Sequence, residues 1–437
     1  MKKTGLSLLL LFSSSLSAQN LLDTYHLALQ NDPVLRQSLA NKMAVSENKD
    51  QSVARLLPSV SFNATTGMNW SKQESLFNSQ FPGQSTKNSF ADSRFTIDLV
   101  QPVFHWDMWV QLSQSEKQIA QAEASYLAEQ QNLILKTTEA YFAVLAAKDD
   151  LTFSLAEQKT IARQLEQAKQ RFEVGLIAIT DVYEAQAGYD QSRSDVIAAE
   201  NSVENSKEAL TEIIGYYSSP LHVLGETLPL TKPTPTNINE WNTQALNQNL
   251  NILVAKNESE IIQDNIDTQR SGHYPQLDIV GQFGMNDTTG NLWSHGNTES
   301  IGLQLNVPIF EGGQVTSRTR QAEHQYTQAK EQLVATQRAV TKNVKDAYRG
   351  VLSSISQVEA LKSAVKSGKS ALEATEAGFE VGTRTMVDVL SATRNYTNAQ
   401  SRYAKSRYAY IINSIRLKNA ASTLSVTDIE SVNRYLK

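Results

Sequence analysis

Apolar and polar residues alternate with period two in four stretches of the chain. Val60, Phe62, Ala64, Thr66, Met68 and Trp70 alternate with Ser59, Ser61, Asn63, Thr65, Gly67 and Asn69, and Phe95, Ile97 and Leu99 alternate with Thr96 and Asp98. Farther on, Leu277, Ile279, Phe283 and Met285 oppose Gln276, Asp278 and Gln282, while Ile301, Leu303, Leu305 and Val307 oppose Gly302, Gln304 and Asn306. Alternation over about ten residues predicts strands long enough to cross a bilayer at a tilt. The same pattern suits a half-buried sheet in a soluble sandwich. Polar loops are expected within each pair, over 71–93 and 287–298.

The period then changes. Asp107 to Phe172 contains neither Pro nor Gly, and Tyr126, Leu133, Ala140 and Ala147 recur every seventh residue. Leu151, Leu155, Ala162, Leu165 and Phe172 follow at spacings of four, seven, three and seven. This predicts one helix of about 100 Å with a coiled-coil seam. A second runs from Gly313 to Phe379. The other positions are mostly Ala, Ser, Gln and Glu, which allow close helix packing and a wet face, as in a hollow bundle. Gly175 and Gly382 stand where a left-handed C-terminal residue belongs. Asp181 to Glu184 and Thr385 to Asp388 have capping-box spacing, and return helices are expected to about Ile214 and Lys418.

These elements form an internal repeat. Phe172-Glu173-Val174-Gly175 recurs 207 residues later as Phe379-Glu380-Val381-Gly382, and Ala140-Tyr141, Asp181 and Tyr189 recur as Ala347-Tyr348, Asp388 and Tyr396. The layout this predicts begins with a leader over 1–18 and N-terminal helices over 19–56. A first β-hairpin over 57–104 and a helical hairpin over 105–215 follow, its tip near 175–181. A linker over 216–240, rich in Pro, Thr and Asn, leads to helices over 241–274 and a second β-hairpin over 275–310. A second helical hairpin over 311–420, with its tip near 382–388, and a C-terminal segment over 421–437 complete the chain.

Composition narrows the function. Lys2 and Lys3, the apolar run Leu6 to Leu16, and Ser17-Ala18 have the form of a secretory signal peptide, too short to span a membrane. No later stretch approaches ~20 consecutive apolar residues, so a transmembrane helix is excluded and a β-barrel is not. The net charge of −5 argues against nucleic-acid binding. There is no Cys, which removes disulfides, thiolate nucleophiles and Cys-based metal sites. The six His include no i, i+4 pair. Ser363 to Ser370 imitates a phosphate-binding loop but lacks its first Gly and falls inside a helical pattern. No enzyme, metal site or cofactor is expected.

Four strands leave two open sheet edges, which lipid does not tolerate. The sheet must close with further copies. Two copies give eight strands, a barrel filled by its own side chains; three give twelve, with room for a pore. The expected fold is thus an α+β membrane protein: a trimeric 12-stranded transmembrane β-barrel, four strands per chain, continued by a long α-helical coiled-coil barrel built from two internal repeats.

Residues 172–182 and 381–390 are similar to the TolC-type outer-membrane factors, as are Gln101-Pro-Val-Phe104 and Pro308-Ile-Phe-Glu-Gly-Gly313 at the strand-to-helix junctions. The resemblance covers essentially the whole mature chain. It implies a homotrimer in the outer-membrane lipid with a large periplasmic portion and an equatorial collar. It further implies docking to a periplasmic adaptor and an inner-membrane RND, ABC or MFS pump, for export of small molecules or proteins. Thr180 and Asp181 match the family's outer-hairpin gate partners, Arg384 the inner-hairpin arginine that bonds to them, and Asp388 an aspartate ring at the entrance. Phe379 stands where the family has a gate tyrosine, and Ser391 where it has a second aspartate ring. On this reading the chain is a passive channel. The alternatives are an envelope-spanning coiled-coil spacer or adhesin, and a secreted enzyme on a repeat scaffold.

Overall fold

The computed structural model describes residues 18–74, 85–217, 220–290 and 294–437. The leader expected over 1–18 lies outside the described residues except for Ala18. Helices α1 (Leu21–Asn31) and α2 (Pro33–Ala54) precede strands β1 (Ser59–Glu74) and β2 (Ser85–Phe104). Then come α3 (Trp106–Glu173), α4 (Ile179–Ile214), α5 (Ile238–Gln248) and α6 (Leu250–Arg270). The second half has β3 (Gln276–Gly290), β4 (Ser294–Asn306), α7 (Gln314–Glu380), α8 (Met386–Ala420) and α9 (Val426–Asn433). α3 and α7 are 68 and 67 residues long. No described helix is long and apolar enough to cross a membrane.

The chain forms two compact units that cut across the repeats. One gathers Met1–Leu39, Ser125–Ile252 and Thr336–Lys437; the other gathers Ala40–Ala124 and Leu253–Ala335. Each draws on both halves, because repeat-related elements pack beside one another.

The second unit holds an antiparallel sheet in the order β1-β2-β3-β4. Its register puts Phe62 opposite Ile97, Ile97 opposite Phe283, and Ile279 opposite Leu303. Antiparallel partners share a face, so the apolar sets of all four strands lie on one side. That side is uncovered: Phe62, Met68, Trp70, Ile301 and Leu303 are all exposed, Leu303 at 73 %. The opposite face carries a hydrogen-bonded row in which Asn63 and Gln282 donate to the two oxygens of Asp98, at 3.0 and 2.8 Å. The strands are 16, 20, 15 and 13 residues long. They overrun the loops expected over 71–93 and 287–298; residues 75–84 and 291–293 lie outside the described residues. At ~3.3 Å per residue such strands extend past ~30 Å of hydrocarbon, and a strand wet on both faces loses its alternation.

At the corner between β2 and α3, His105 Nε2 lies 2.9 Å from Asp278 Oδ1 of β3. The start of α3 is flanked by polar contacts, Lys49 of α2 with Glu116 at 3.0 Å and Lys117 with Asp264 of α6 at 2.6 Å.

The other unit centres on Tyr141, Phe142, Leu145, Leu210, Ile214 and Leu417, all buried. Tyrosine hydroxyls fasten the linker to this core. Tyr141 donates to the carbonyl of His222 at 2.8 Å, and its repeat counterpart Tyr348 donates to the carbonyl of Thr236. Burial pushes the Tyr141 phenol up, so the hydroxyl stays protonated as a donor. The C-terminus closes on the same segment, Lys437 and Val223 exchanging backbone hydrogen bonds at 2.8 and 3.0 Å. Along the expected α3 seam Leu133, Ala147 and Leu165 are buried, whereas Leu155 and Phe172 are exposed at 45 and 41 %. Residues 363–370, the loop-like motif, lie within α7.

Candidate functional site

The residues singled out from the sequence gather at the two turns joining α3 to α4 and α7 to α8. Both turns have the same backbone. Gly175 and Gly382 have φ of +71° and +79°, which glycine alone adopts without penalty. At the outer turn the N–H of Gly175 donates to Phe172 and that of Leu176 to Arg171, both at 2.9 Å. At the inner turn the N–H of Gly382 donates to Phe379 at 3.2 Å and that of Thr383 to Gly378 at 2.8 Å. Both are Schellman closures, which satisfy the last carbonyls of the long helices.

The starts of the return helices differ. Thr385 caps α8 in a capping box: its hydroxyl accepts from the Asp388 N–H at 3.2 Å, and Asp388 Oδ2 accepts from the Thr385 N–H at 3.0 Å. The matching box expected from Asp181 to Glu184 is absent. α4 starts earlier, at Ile179, and its cap is Ala178, which makes no side-chain capping bond. In the repeat, Ala178 takes the place of Thr385 and Asp181 that of Asp388. Alanine has no hydroxyl to accept the Asp181 N–H, and the Asp181 carboxylate makes no side-chain bond among the described residues. The exposed Thr180 precedes it. Asp388 is held below the usual carboxylate range by the Thr385 N–H and hydroxyl, with a smaller contribution from the Arg384 charge.

Arg384 is exposed. Its stem lies across α7, where a Cβ at Gly378 would fall 2.8 Å from Arg384 Cγ. The absence of a side chain at Gly378 thus seats the arginine. Among the described residues Arg384 forms no ion pair, so Asp181 and Arg384 of one chain are not brought together. Phe379 does join the two turns. Arg171 of α3 places its guanidinium carbon 5.1 Å from the Phe379 ring centroid and Nη1 3.5 Å from the Phe379 carbonyl.

Beneath these residues lies a small apolar core of Ile161, Leu165, Ala168, Ala185, Met386 and Leu390, rimmed by Ile177, Val182, Tyr189 and Phe379. α4 approaches α8 closely there, since a Cβ at Gly188 would meet Leu390 at 3.1 Å. Away from this core the contact between α3 and α8 becomes polar. Gln164 donates to Thr393 at 3.3 Å, Ser401 donates to Asp150 at 2.6 Å, and Tyr408 donates to Asp149 at 2.6 Å. Burial raises the Asp149 carboxyl, and the Tyr408 hydrogen bond opposes it only in part. Burial raises Glu157 in the same seam, against a hydrogen bond from Thr397.

Sequence reasoning missed Arg171, Gly378 and Gly188. The first two carry a signal in the repeat, since Arg171 is aligned with Gly378, and Ile177 with Arg384. No cluster of metal-ligating side chains occurs among the described residues.

The comparisons with known proteins agree with this architecture. The family model for the outer membrane efflux protein matches residues 24–216 and 241–423. The chain is 41 % identical over 430 residues to outer membrane protein TolC of Vibrio cholerae serotype O1, covering 97 % of this chain and 95 % of that one. It is 26 % identical over 437 residues to the alkaline protease secretion protein AprF of Pseudomonas aeruginosa, covering 97 and 89 %. Its fold matches the CmeC outer membrane channel of Campylobacter jejuni with a TM-score of 0.78 at 17 % identity, covering 96 % of this chain and 90 % of that chain. Strands that bare their apolar face, paired long helices and a model match in both halves meet in one conclusion: the chain belongs to the outer membrane efflux protein family and is of the TolC type.

Proposed function

We propose that three copies of this chain assemble into a passive exit duct, closed at its periplasmic helix tips and opened when a periplasmic adaptor recruits an inner-membrane RND, ABC or MFS pump. The protein is an outer-membrane exit duct of efflux and secretion systems, and its family is one of channels, not enzymes. The finer reading adds that it performs no catalysis, that the pump supplies the free energy, and that the cargo is small molecules or proteins. One observation carries it. The sheet bares its apolar face, keeps a hydrogen-bonded polar row on the other, and among the described residues ends in two unpaired edges, β1 and β4. Three such sheets closed edge to edge give twelve strands, with lipid outside and water inside. An envelope spacer or adhesin has no use for that inversion.

The gate in this reading consists of Thr180, Asp181, Phe379 and Arg384, with Asp388 ringing the entrance and Gly175 and Gly382 forming the turns. Among the described residues Arg384 forms no ion pair and the Asp181 carboxylate no side-chain bond, so in this reading their pairing joins neighbouring copies. The planar guanidinium suits a carboxylate and a neighbouring hydroxyl at once. An exposed pair is worth only ~0–1 kcal/mol, so three copies make a marginal lock, as a gate opened by a partner requires.

The test is reconstitution of the purified protein in a planar bilayer. Stepwise single-channel currents and a heat-resistant trimer in detergent are expected; a monomer without current overturns the reading. The sheet faces give a second check. Leu303→Arg costs ~2–4 kcal/mol at mid-membrane and cuts assembly, whereas Gln304→Arg is tolerated. Equal tolerance of the two removes the barrel.

A further inference from the structure

We infer that Arg171 is a second gate contact, a clasp by which the outer hairpin holds Phe379, and through it the inner hairpin of the same chain. The inference rests on reading the helix tips as a gate. The guanidinium carbon lies 5.1 Å from the Phe379 ring centroid, and Nη1 reaches the Phe379 carbonyl at 3.5 Å. One side chain of α3 therefore grips the last turn of α7 by both ring and backbone. That carbonyl also accepts the Gly382 N–H at 3.2 Å, so the grip falls on the peptide that shapes the inner turn. A planar, permanently charged guanidinium is suited to lie on a ring face. The ring is half-buried at the edge of the apolar tip core, fixed by that core on one side and by Arg171 on the other.

The repeat shows that the contact runs in one direction only. Phe172, the counterpart of Phe379, is 41 % exposed, and the counterpart of Arg171 is Gly378, which has no side chain. A phenylalanine offers no hydroxyl, only its face, and Arg171 occupies that face. Arg384, exposed and without an ion pair among the described residues, takes no part in the clasp and can reach a neighbour. The two arginines thus divide the work: Arg171 ties the inner hairpin to the outer one, and Arg384 ties chain to chain.

Single-channel conductance of Arg171→Gln, Arg171→Lys, Phe379→Leu and the double variant Arg171→Gln/Phe379→Leu tests this, with Arg384→Ser alongside. Trimer yield is checked first by heat resistance in detergent. Arg171→Gln and Phe379→Leu should each raise the resting open-to-closed ratio about two- to five-fold per copy, the range of one exposed cation–π contact. The double variant should do no more than the larger single change, and Arg171→Lys, which keeps the charge but not the planar fork, should fall between Arg171→Gln and wild type. Arg171→Gln at wild-type conductance, with Arg384→Ser raised, overturns the clasp and leaves the gate reading standing. So do effects that multiply in the double variant. Arg171→Gln raised with Arg384→Ser unchanged keeps the clasp and removes Arg384 from the gate; no change in any variant removes both. If Arg171→Gln fails to assemble, Phe379→Trp, which keeps a ring face, should stay at wild type while Phe379→Leu rises, and equal behaviour of those two overturns the clasp.

Discussion

The outer and inner tips share one backbone, down to the Schellman closure and a glycine at positive φ, yet they place charge in opposite ways. At the outer tip Arg171 lies inward on Phe379, Ile177 packs at the rim of the apolar core, and Asp181 is uncommitted. At the inner tip Gly378 leaves room for the Arg384 stem, Arg384 projects into solvent, and Asp388 is tied to Thr385. In the proposed gate the duplicated turn supplies a donor at one tip and an acceptor at the other by exchanging a few side chains. A closed ring of copies would ask for this, because a contact between neighbouring copies needs two unlike surfaces on each chain.

The comparison breaks most readily at Gly378. Gly378→Ala forces a Cβ to 2.8 Å from Arg384 Cγ and should loosen the inner turn by ~1–3 kcal/mol, the usual cost of overpacking. Gly368→Ala in the same helix meets Tyr396 no closer than 3.7 Å and should be neutral or stabilising. Amide exchange across 378–386 reads the first and exchange at mid-helix the second; equal protection in the two variants contradicts the seat.

A smaller effect is expected at the caps. Thr385→Ala removes the capping hydroxyl and should cost about 1 kcal/mol in the first turn of α8. The reverse change, Ala178→Thr, should build the missing box, protect the first turn of α4, and draw Asp181 into it. Exchange at 179–182 measures the gain, and conductance should rise because Asp181 is no longer available. Protection without a conductance change separates Asp181 from the gate.

The smallest effect is with pH, and its sign differs along α8. Asp388 sits below its unfolded value, so its contribution is present above ~4 and is lost as pH falls through the folded value. Asp149 and Glu157 sit above theirs, so their contribution is present at low pH and is lost as pH rises through the folded values. Mild acidification should therefore slow exchange along the α3–α8 seam, and stronger acid should speed it at the α8 cap. The same direction at both places contradicts these assignments.

What the sequence made legible follows from where one physical demand acts alone. Residues 60–70 alternate because one face meets lipid and the other water, so β1 was readable there. Its continuation to Glu74, and β2 from Ser85, were not, because polar residues on both faces leave no period to read. Glycines 175 and 382 announced the turns, since only positive φ requires them there. The outer cap was misread because Asp181 with Glu184 copies the spacing of a box whose true first position, Ala178, has lost its oxygen. Leu155 and Phe172 belong to the periodic seam yet are exposed in the single chain, which the period cannot foretell. Of the tyrosine fastenings only the repeated pair Tyr141 and Tyr348 was legible; their acceptors were not, because these are backbone carbonyls 81 and 112 residues away in sequence.

The central claim is that the unlike tips of neighbouring copies hold the duct shut. The most direct measurement is single-channel conductance of Arg384→Ser, Asp181→Ala and their double variant in planar bilayers, with trimer yield unchanged. The account predicts that each single change raises the resting conductance and that the double variant goes no further than the larger of them. Wild-type conductance in all three would contradict it.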